Sequence, residues 1–496
     1  MTRMRQLNAL RLPFLSWILM TAAGLDATAT QGSAKHWPRE QRVPSMFGLA
    51  LCDLGDVTGD GVADLAISDP LADQVWVVSG SDWQPVTRIE AVHTGLRFGE
   101  TLASAGDLNG DGTPDLLIGA CPEAGEGGEA SPTVYAHVYA YSGADWSELY
   151  EVDIDSKSGG ANSWYSSGSW PQMCSTGDID ADGNDDFAVG VPYDDAGGSN
   201  AGKVLLVSGN SGALIRTLSI EVPNACLGTA IVSLPDIDGD GSRELAISAN
   251  PSIHPRHKHS NELPGCVYIV SPASGKVLSK ITGPGTSPGF GSSLAVGPDR
   301  DGGGSPDIFV GQSFTRNAQL VALMSTETGL PLQTWHFRGE SNMNADVPSF
   351  GVKVVLTADL NMDGCEDVLI TQPSSFGGPY SAAVYSGKQD AVEWSLPIIR
   401  GLSHFGVEAL RIHRTGALAT VLVVSAASWR GNASFPGVVQ IYDESSRERV
   451  RLLTKTRLEA ALSSQSKESP QAGKQERKAA RVRHTERDKG DGLVRK

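Results

Sequence analysis

The sequence predicts an all-β protein folded as a seven-bladed β-propeller. Three observations favour this fold: a motif recurs seven times, each copy contains short apolar runs separated by turn residues, and six copies carry an Asp-rich loop at the same place. A repeat of this size forms one small sheet that buries its faces only against neighbouring repeats. Closing seven such sheets into a ring leaves only short, protected edges.

The repeated motif can be followed along most of the chain. Its copies begin at Phe47, Phe98, Met173, Leu227, Phe290, Phe350 and Phe405. The first residues of their loops are Asp56, Asp107, Asp178, Asp236, Asp299 and Asp359, with Arg414 in the equivalent place of the last copy. Successive loops are about 50 to 70 residues apart, an interval that suits one four-stranded sheet with its connections.

Each copy has the same coarse pattern of four short strands. In the first copy, an alternating stretch at Gly48–Cys52 leads to the loop, and the apolar run Leu65–Ile67 follows it. A third apolar run starts at Val75, and a weaker fourth run, Val86–Ile89, closes the copy. Clusters of Gly, Pro, Asn and Asp separate these runs, so the pattern predicts an antiparallel meander.

Five of the loops place oxygen-bearing side chains at loop positions 1, 3, 5 and 9. Gly at position 6 permits a sharp reversal, after which the carbonyl of position 7 can turn toward a cation. Several hard oxygen ligands without Cys or His suit Ca²⁺ and suit Zn²⁺ or Cu²⁺ poorly. The predicted Ca²⁺ ligands are Asp56, Thr58, Asp60 and Asp64; Asp107, Asn109, Asp111 and Asp115; Asp178, Asp180, Asp182 and Asp186; Asp236, Asp238, Asp240 and Glu244; and Asp359, Asn361, Asp363 and Asp367.

Two other interpretations of these loops exist. Asp and Gly both favour turns, so a single loop would not separate a turn from a metal site. Five loops with the same offsets favour the metal site. An EF-hand needs a bidentate Glu at position 12 on an exiting helix. Here position 12 is Ile67, Ile118, Val189, Ile247 or Ile370, inside a β-like run, which excludes an EF-hand.

Two loops depart from the pattern. In the fifth, Gly303 occupies position 5, which leaves Asp299, Asp301 and Asp307 and keeps calcium binding there an open question. The seventh has Arg414 where the first ligand belongs, so we expect no metal in that loop. We expect the calcium ions to be structural and to hold together the first two strands of a blade, without a role in catalysis.

The motif resembles the FG-GAP repeat. The Phe-Gly start, the Asp loop and endings such as IGACP, VGVP and ISDP carry this resemblance, which covers roughly residues 47–443. FG-GAP repeats build the seven-bladed propeller of integrin α chains and of many exported bacterial proteins. The resemblance implies calcium loops on one rim of the propeller and partner binding on the opposite face. It does not identify a partner.

The two ends of the chain differ in character from the repeats. Basic residues, the apolar run Leu12–Leu25 and the small residues of Ala27-Thr28-Ala29 predict a signal peptide over residues 1–29. Whether this segment is cleaved or kept as an anchor is open. The propeller is expected over residues 37–454. Residues 455–496 are polar and rich in Lys and Arg, which predicts a disordered basic tail whose role is open.

Composition narrows the function. The chain carries a net charge of −17, and its acidic body lacks the basic stripe that nucleic-acid binding requires. No set of side chains with the arrangement of a catalytic site stands out, so we expect that the protein is not an enzyme. We accordingly predict metal ligands but no catalytic residues and no residues that bind an organic cofactor. The six cysteines leave the disulfide state open, although Cys52 and Cys174 occupy an apolar slot before their loops.

These observations predict a calcium-binding module that serves in cell adhesion or in another kind of binding. The protein is expected to be secreted, periplasmic or located at the cell surface. The expected partner is an unidentified extracellular protein or glycan, and the mature chain is expected to be a monomeric propeller without a membrane span. One alternative is a lectin-like propeller that binds glycans in several blades. The other is an enzyme that acts on polysaccharides, which the length occupied by the repeats disfavours.

Overall fold

A computed structural model describes the part of the chain that contains the repeats. The described residues are 46–121, 136–154, 172–251, 263–284, 289–312, 320–336, 351–372, 381–397, 405–413, 420–427 and 437–468. Within these ranges, no helix has both the length and the apolar character needed to cross a bilayer. The predicted signal peptide and Arg414 lie outside the described residues.

The described strands form seven four-stranded sheets. The first contains β1 (Leu51–Gly55), β2 (Asp64–Asp69), β3 (Gln74–Val78) and β4 (Pro85–Glu90). The second contains β5 (Thr101–Gly106), β6 (Asp115–Ala120), β7 (Ala136–Tyr141) and β8 (Glu148–Ile154). The third contains β9 (Met173–Gly177), β10 (Asp186–Val191), β11 (Lys203–Val207) and β12 (Leu214–Ser219). The fourth contains β13 (Leu227–Ser233), β14 (Leu245–Ala249), β15 (Cys266–Ser271) and β16 (Lys276–Thr282).

The last three sheets repeat the arrangement. The fifth contains β17 (Phe290–Val296), β18 (Ile308–Gln312), β19 (Leu320–Met324) and β20 (Pro331–His336). The sixth contains β21 (Val354–Leu356), β22 (Val368–Thr371), β23 (Ala382–Tyr385) and β24 (Val392–Ser395). The seventh contains β25 (Phe405–Ile412), β26 (Val421–Ala426), β27 (Val438–Asp443) and β28 (Arg449–Thr454). A short 3₁₀ turn, Pro70–Ala72, joins β2 to β3.

Each sheet is an antiparallel meander of four strands consecutive in sequence. In the first sheet, Leu65 on β2 pairs with Asp53 on β1 and with Val78 on β3. The second strands are buried along their whole length, as in β2, β6 and β10. Both faces of these strands contact neighbouring sheets, which explains why the sequence there is a nearly continuous apolar run instead of an alternating one.

The sheets are arranged in a closed ring, which confirms the predicted seven-bladed β-propeller. The first strand of each sheet lies beside the first strand of the next, and β25 of the seventh sheet lies beside β1. Phe47, at the start of the motif, is fully buried in a cluster that includes Val423 and Val439 of the seventh sheet. Phe98, Phe290 and Phe405 are buried in the same way, so the Phe that begins these copies fills the space between two blades.

The glycine after that aromatic position is required by close packing. Gly228 has a φ of +91°, and a Cβ there would lie 2.9 Å from the Cα of Gly190 in the third sheet. Gly48 has the same left-handed conformation, and a Cβ would lie 3.1 Å from the Cβ of Ser425 in the seventh sheet. Any side chain at these positions would be strained and would push two blades apart.

The prediction of disorder from residue 455 is wrong for the first part of the predicted tail. Lys455–Glu468 forms helix α1, which contacts β4 and β28, the outer strands of the first and last sheets. Lys455 Nζ lies 2.8 Å from Asp69 Oδ2, and the other Asp69 oxygen accepts a hydrogen bond from Met46 N. Residues from both ends of the described chain thus meet at the side chain of Asp69.

The helix attaches to the propeller through few apolar residues. Leu458 is buried in the hydrophobic cluster that joins the first and seventh sheets, and Leu462 packs against the same cluster. One helical turn separates the two leucines, so both lie on one face. A polar segment is expected to be disordered when it has no apolar face that packs against the rest of the protein. Here the apolar face of the helix packs against the propeller, and these tertiary contacts stabilise the helix. Residues 469–496 of the predicted tail lie outside the described residues.

All six cysteines lie in the described part of the chain, and none of them forms a disulfide there. Cys52 is buried in the cluster between the first and second sheets. Cys174 packs against the cluster between the third and fourth sheets. These two residues occupy the apolar positions expected from the repeat, where Cys packs as a small hydrophobic residue.

Candidate metal centre

The Asp-rich loops connect the first and second strands of the sheets. Their position 9 residue stands at the start of the second strand and is buried, as Asp64, Asp115 and Asp186 show. One oxygen of Asp115 accepts a hydrogen bond from Leu108 N (2.8 Å) and the other from Gly143 N (2.9 Å). This carboxylate therefore joins the loop to the turn after the third strand.

The position 1 aspartate organises the exposed part of the loop. In the first loop, Asp56 Oδ1 accepts hydrogen bonds from Gly59 N (2.7 Å) and Asp60 N (3.0 Å), and Oδ2 accepts one from Gly61 N (2.7 Å). The loop beginning at Asp107 has the same bonds. Such Asx-type bonds hold the chain in a tight curve, so the ligand side chains are brought together by the loop itself.

The acidic side chains converge in three loops. In the fourth loop, carboxylate oxygens of all four predicted ligands, Asp236, Asp238, Asp240 and Glu244, lie within 4.8 Å of one another. In the third loop, the converging set is Asp178, Asp180 and Asp186, and the predicted ligand Asp182 is not part of it. In the fifth loop, the converging residues are Asp299, Asp301 and Asp307.

The first, second and sixth loops carry a neutral side chain at position 3. Asn361 Nδ2 donates to Asp363 Oδ2 (3.1 Å), and Asn109 Oδ1 accepts from Asp111 N (2.9 Å). The Thr58 hydroxyl lies near the carboxylates of both Asp60 and Asp64 and can donate its proton to either one. These side chains lie beside the acidic ligands of their own loops, as the spacing predicts. The remaining predicted ligands of these loops are Asp56, Asp107, Asp115, Asp359 and Asp367.

A serine at the end of the third strand is a further part of the site that the sequence analysis missed. Ser271 Oγ donates to Asp240 Oδ2 and Ser386 Oγ donates to Asp363 Oδ2, each at 3.0 Å. Ser142 makes the longer equivalent contact with Asp111. The sequence signal for this part of the site was the Ser-Gly pair that follows the third apolar run in several copies. In such a pair the serine hydroxyl and the glycine N–H both donate hydrogen bonds to loop carboxylates.

Two buried carboxylate oxygens indicate whether the Asp loops suit a cation. Glu244 Oε1 and Asp307 Oδ1 are buried without a hydrogen-bond donor among the described residues. In the fourth sheet, Pro272 replaces the glycine whose N–H binds this oxygen elsewhere, and proline has no N–H to donate. A hard divalent cation would satisfy such an oxygen, so the donor set and its geometry fit Ca²⁺.

Burial changes the acidity of the position 9 carboxylates. Removal from water, together with the nearby charges of Asp111 and Asp107, raises the pKa of Asp115 to about 6. Burial likewise raises the pKa of Asp186 to about 6. The pKa values of Asp64, Glu244 and Asp367 are also raised, mainly by burial. Negative charge is therefore costly at each loop unless a proton or a cation compensates it.

We expect the thermal stabilisation by Ca²⁺ to be greater at pH 7.5 than at pH 5.0. The raised pKa values of Asp115 and Asp186 favour the folded state at low pH, and this contribution is lost as the pH rises through about 6. A bound cation replaces the proton, so it matters most where the carboxylates are ionised. Melting curves of metal-depleted protein with and without Ca²⁺ at both pH values measure this. Equal gains in Tm would contradict it.

Neighbouring loops contact each other along one rim of the propeller. Asp185, in the third loop, accepts a hydrogen bond from Asp107 N through Oδ2 at 3.0 Å. Arg300, in the fifth loop, donates to the carbonyl of Glu366 in the sixth at 3.1 Å. Arg447, in the seventh sheet, donates to the carbonyl of Leu360 at 2.9 Å. The Asp loops thus lie along one acidic rim, where the second loop contacts the third and the fifth contacts the sixth.

Two repeat families match the chain. The FG-GAP-like repeat matches residues 56–118, and the FG-GAP repeat matches residues 174–207. The first match includes the first two Asp loops, and the second extends from β9 to the end of β11. The matched segments therefore coincide with the loops and strands of the site.

Integrin α subunits are among the similar proteins. Integrin alpha-4 of Xenopus laevis is 29% identical over 168 residues, which cover 32% of this chain and 15% of that protein. Protein FAM234B of Gallus gallus is 26% identical over 284 residues, which cover 53% of this chain and 40% of FAM234B. The similarity thus extends over a minor part of each relative. Among solved structures, the Dos1 propeller aligns with a TM-score of 0.42 and 11% identity over 77% of this chain and 76% of that chain.

Proposed function

Because the chain is a β-propeller of the FG-GAP repeat family, we propose that it is an exported calcium-binding module that binds or adheres to a partner outside the cell. The partner is a protein or a glycan, and Ca²⁺ has a structural role. The observation that carries this proposal is the acidic rim of preformed loops in a propeller similar to part of integrin α subunits. A secreted, periplasmic or cell-surface location follows from the predicted signal peptide over residues 1–29.

Calcium is assigned to the five loops predicted from sequence. Their oxygen ligands, their glycine at position 6 and the buried carboxylate at position 9 suit a hard cation. The convergence of Asp299, Asp301 and Asp307 supports extending the assignment to the fifth loop, despite Gly303 at position 5. Each ion would hold the start of a second strand against the loop before it, so its effect is on blade geometry.

The partner is proposed to bind the rim opposite the Asp loops. In a meander, the connections between second and third strands lie at the opposite end of the sheet from those between first and second strands. These opposite connections vary from residues 70–73 in the first sheet to residues 250–265 in the fourth. Five of the Asp loops, in contrast, keep the same nine-residue ligand pattern. Variable loops on a constant scaffold are the usual place for ligand recognition.

Binding can be tested with the full-length protein on a glycan array and in pull-downs from native cell envelopes, with Ca²⁺ and with chelator. We expect retention of a discrete ligand that is lost in chelator. A variant with Asp236→Asn and Asp240→Asn in the fourth loop tests whether retention depends on that loop. It should retain less ligand than the unchanged protein at limiting calcium. Degradation of an array polysaccharide would replace the proposal with an enzyme. Absence of any retained ligand in Ca²⁺ would reject it.

A further inference from the structure

A second cluster of metal-ligand side chains lies outside the Asp loops, on the last two strands of the second sheet. His137 on β7 pairs directly with Asp153 on β8, and Glu151 lies two residues before Asp153 on the same face. His137 Nδ1 is 2.8 Å from Glu151 Oε1 and 3.0 Å from Asp153 Oδ1. The three ligand atoms all lie within 4.8 Å of one another.

The charges in this cluster are not balanced by the residues around it. Nδ1 of a neutral imidazole carries at most one proton, so the two carboxylates share a single donor on His137, and the Tyr139 hydroxyl supplies a second donor to Glu151 alone. Among the described residues, the ion pairs of Glu151 and Asp153 are with His137, and neither carboxylate pairs with Lys or Arg. A cation placed between the three atoms would give each carboxylate its own favourable contact.

Neighbouring aromatic and strand contacts hold two of the three side chains in place. The Tyr139 ring stacks on the His137 ring with centroids 6.1 Å apart and an interplanar angle of 29°. The Tyr139 side chain is largely buried and also hydrogen-bonds to Glu151. The same tyrosine thus orients both the imidazole and one carboxylate, as partners behind metal ligands commonly do.

We propose that His137, Glu151 and Asp153 form a binding site for a transition-metal ion of the Zn²⁺ class. One imidazole nitrogen and two carboxylate oxygens match the ligands that Zn²⁺ accepts, whereas the Asp loops offer oxygen alone. Tetrahedral Zn²⁺ bonds of about 2.0–2.1 Å place ligand atoms roughly 3.3 Å apart. This is slightly wider than the 2.8 and 3.0 Å that separate His137 Nδ1 from the two carboxylate oxygens. The imidazole binds through Nδ1 with its proton on Nε2, and water completes the coordination.

The site is tested with full-length protein in excess Ca²⁺, so that the Asp loops are saturated. Titration with Co²⁺, followed by its visible absorption and by displacement with Zn²⁺, should reveal one calcium-resistant site per chain. His137→Gln should abolish the absorption band. Asp153→Asn should weaken binding by at least about tenfold, since even partners behind the ligands contribute about 10–100-fold. Asp153 is largely exposed, so this second variant should fold normally.

The matched control is His336→Gln. His336 contacts a single carboxylate, Asp390, with Nδ1 3.2 Å from Oδ2, and is more exposed than His137. This variant should bind Co²⁺ and Zn²⁺ as the unchanged protein does. Equal affinity in the His137→Gln variant and the unchanged protein would overturn the site, as would the lack of a calcium-resistant site. The assignment does not depend on the calcium loops or on the partner of the propeller.

Discussion

Removing calcium from the full-length protein at pH 7.5 is expected to lower its Tm by roughly 3–8 °C relative to about 1 mM Ca²⁺. Extracellular-type sites have Kd values of about 10⁻⁴–10⁻³ M, which correspond to about 0.4–1.4 kcal/mol for each loop at that concentration. Five loops then contribute a few kcal/mol. The measurement is calorimetry or circular dichroism with Ca²⁺ and with chelator.

A single-loop variant separates specific binding from a general salt effect. Asp107→Asn removes a charge from the position that accepts three loop N–H groups, and we expect it to reduce the gain in Tm on adding Ca²⁺. Asp82→Asn is the control, because Asp82 is exposed and binds only a local N–H in a turn. If the two variants respond to Ca²⁺ alike, or if chelation leaves Tm unchanged, calcium does not stabilise the propeller.

Replacing Leu458 in helix α1 by Ala is expected to destabilise the protein by about 2–5 kcal/mol, or roughly 2–6 °C in Tm. Leu458 is 2% exposed and belongs to the cluster that joins the first and seventh sheets. The loss should therefore appear as weaker closure of the ring. Thermal melts and hydrogen exchange of β1 and β28 measure it.

Two further variants test the same closure. Thr456→Ala, at an exposed position of the helix, should leave the Tm unchanged. A chain that ends at Thr454 should be less stable than Leu458→Ala, because it also leaves the Asp69 carboxylate, which is 1% exposed, without Lys455. A truncated chain as stable as the full-length protein would show that the helix is not needed for closure.

The fold could be predicted because its strongest signals are local and repeated. The Asp of position 1, the Gly of position 6 and the apolar run after the loop occur together in six copies, so each supports the assignment of the others. The strand order within each blade then follows from short connections. The Phe-Gly pair could also be recognised in the sequence. Its role in packing one blade against the preceding blade could not be predicted, because that role depends on contacts between residues distant in the chain.

The features that sequence reasoning missed depend on tertiary contacts. Helix α1 lies in a polar segment, and only the spacing of Leu458 and Leu462 indicates its buried face. The His137 cluster joins residues from two strands, and its geometry depends on a register that the sequence does not specify. The role of Ser271 in the fourth loop likewise depends on the turn after the third strand approaching that loop.

Each blade consists of four strands that follow one another in the chain, and among the described residues no strand is exchanged between the first and last blades. The hydrogen bonding within the sheets therefore does not require any particular blade to come first in the chain. Residues 46 and 455 both approach Asp69, so the ends of the propeller could be joined by a short linker and new ends opened between two other blades. Circular permutation should consequently preserve every sheet, because no described sheet combines strands from the two ends of the chain.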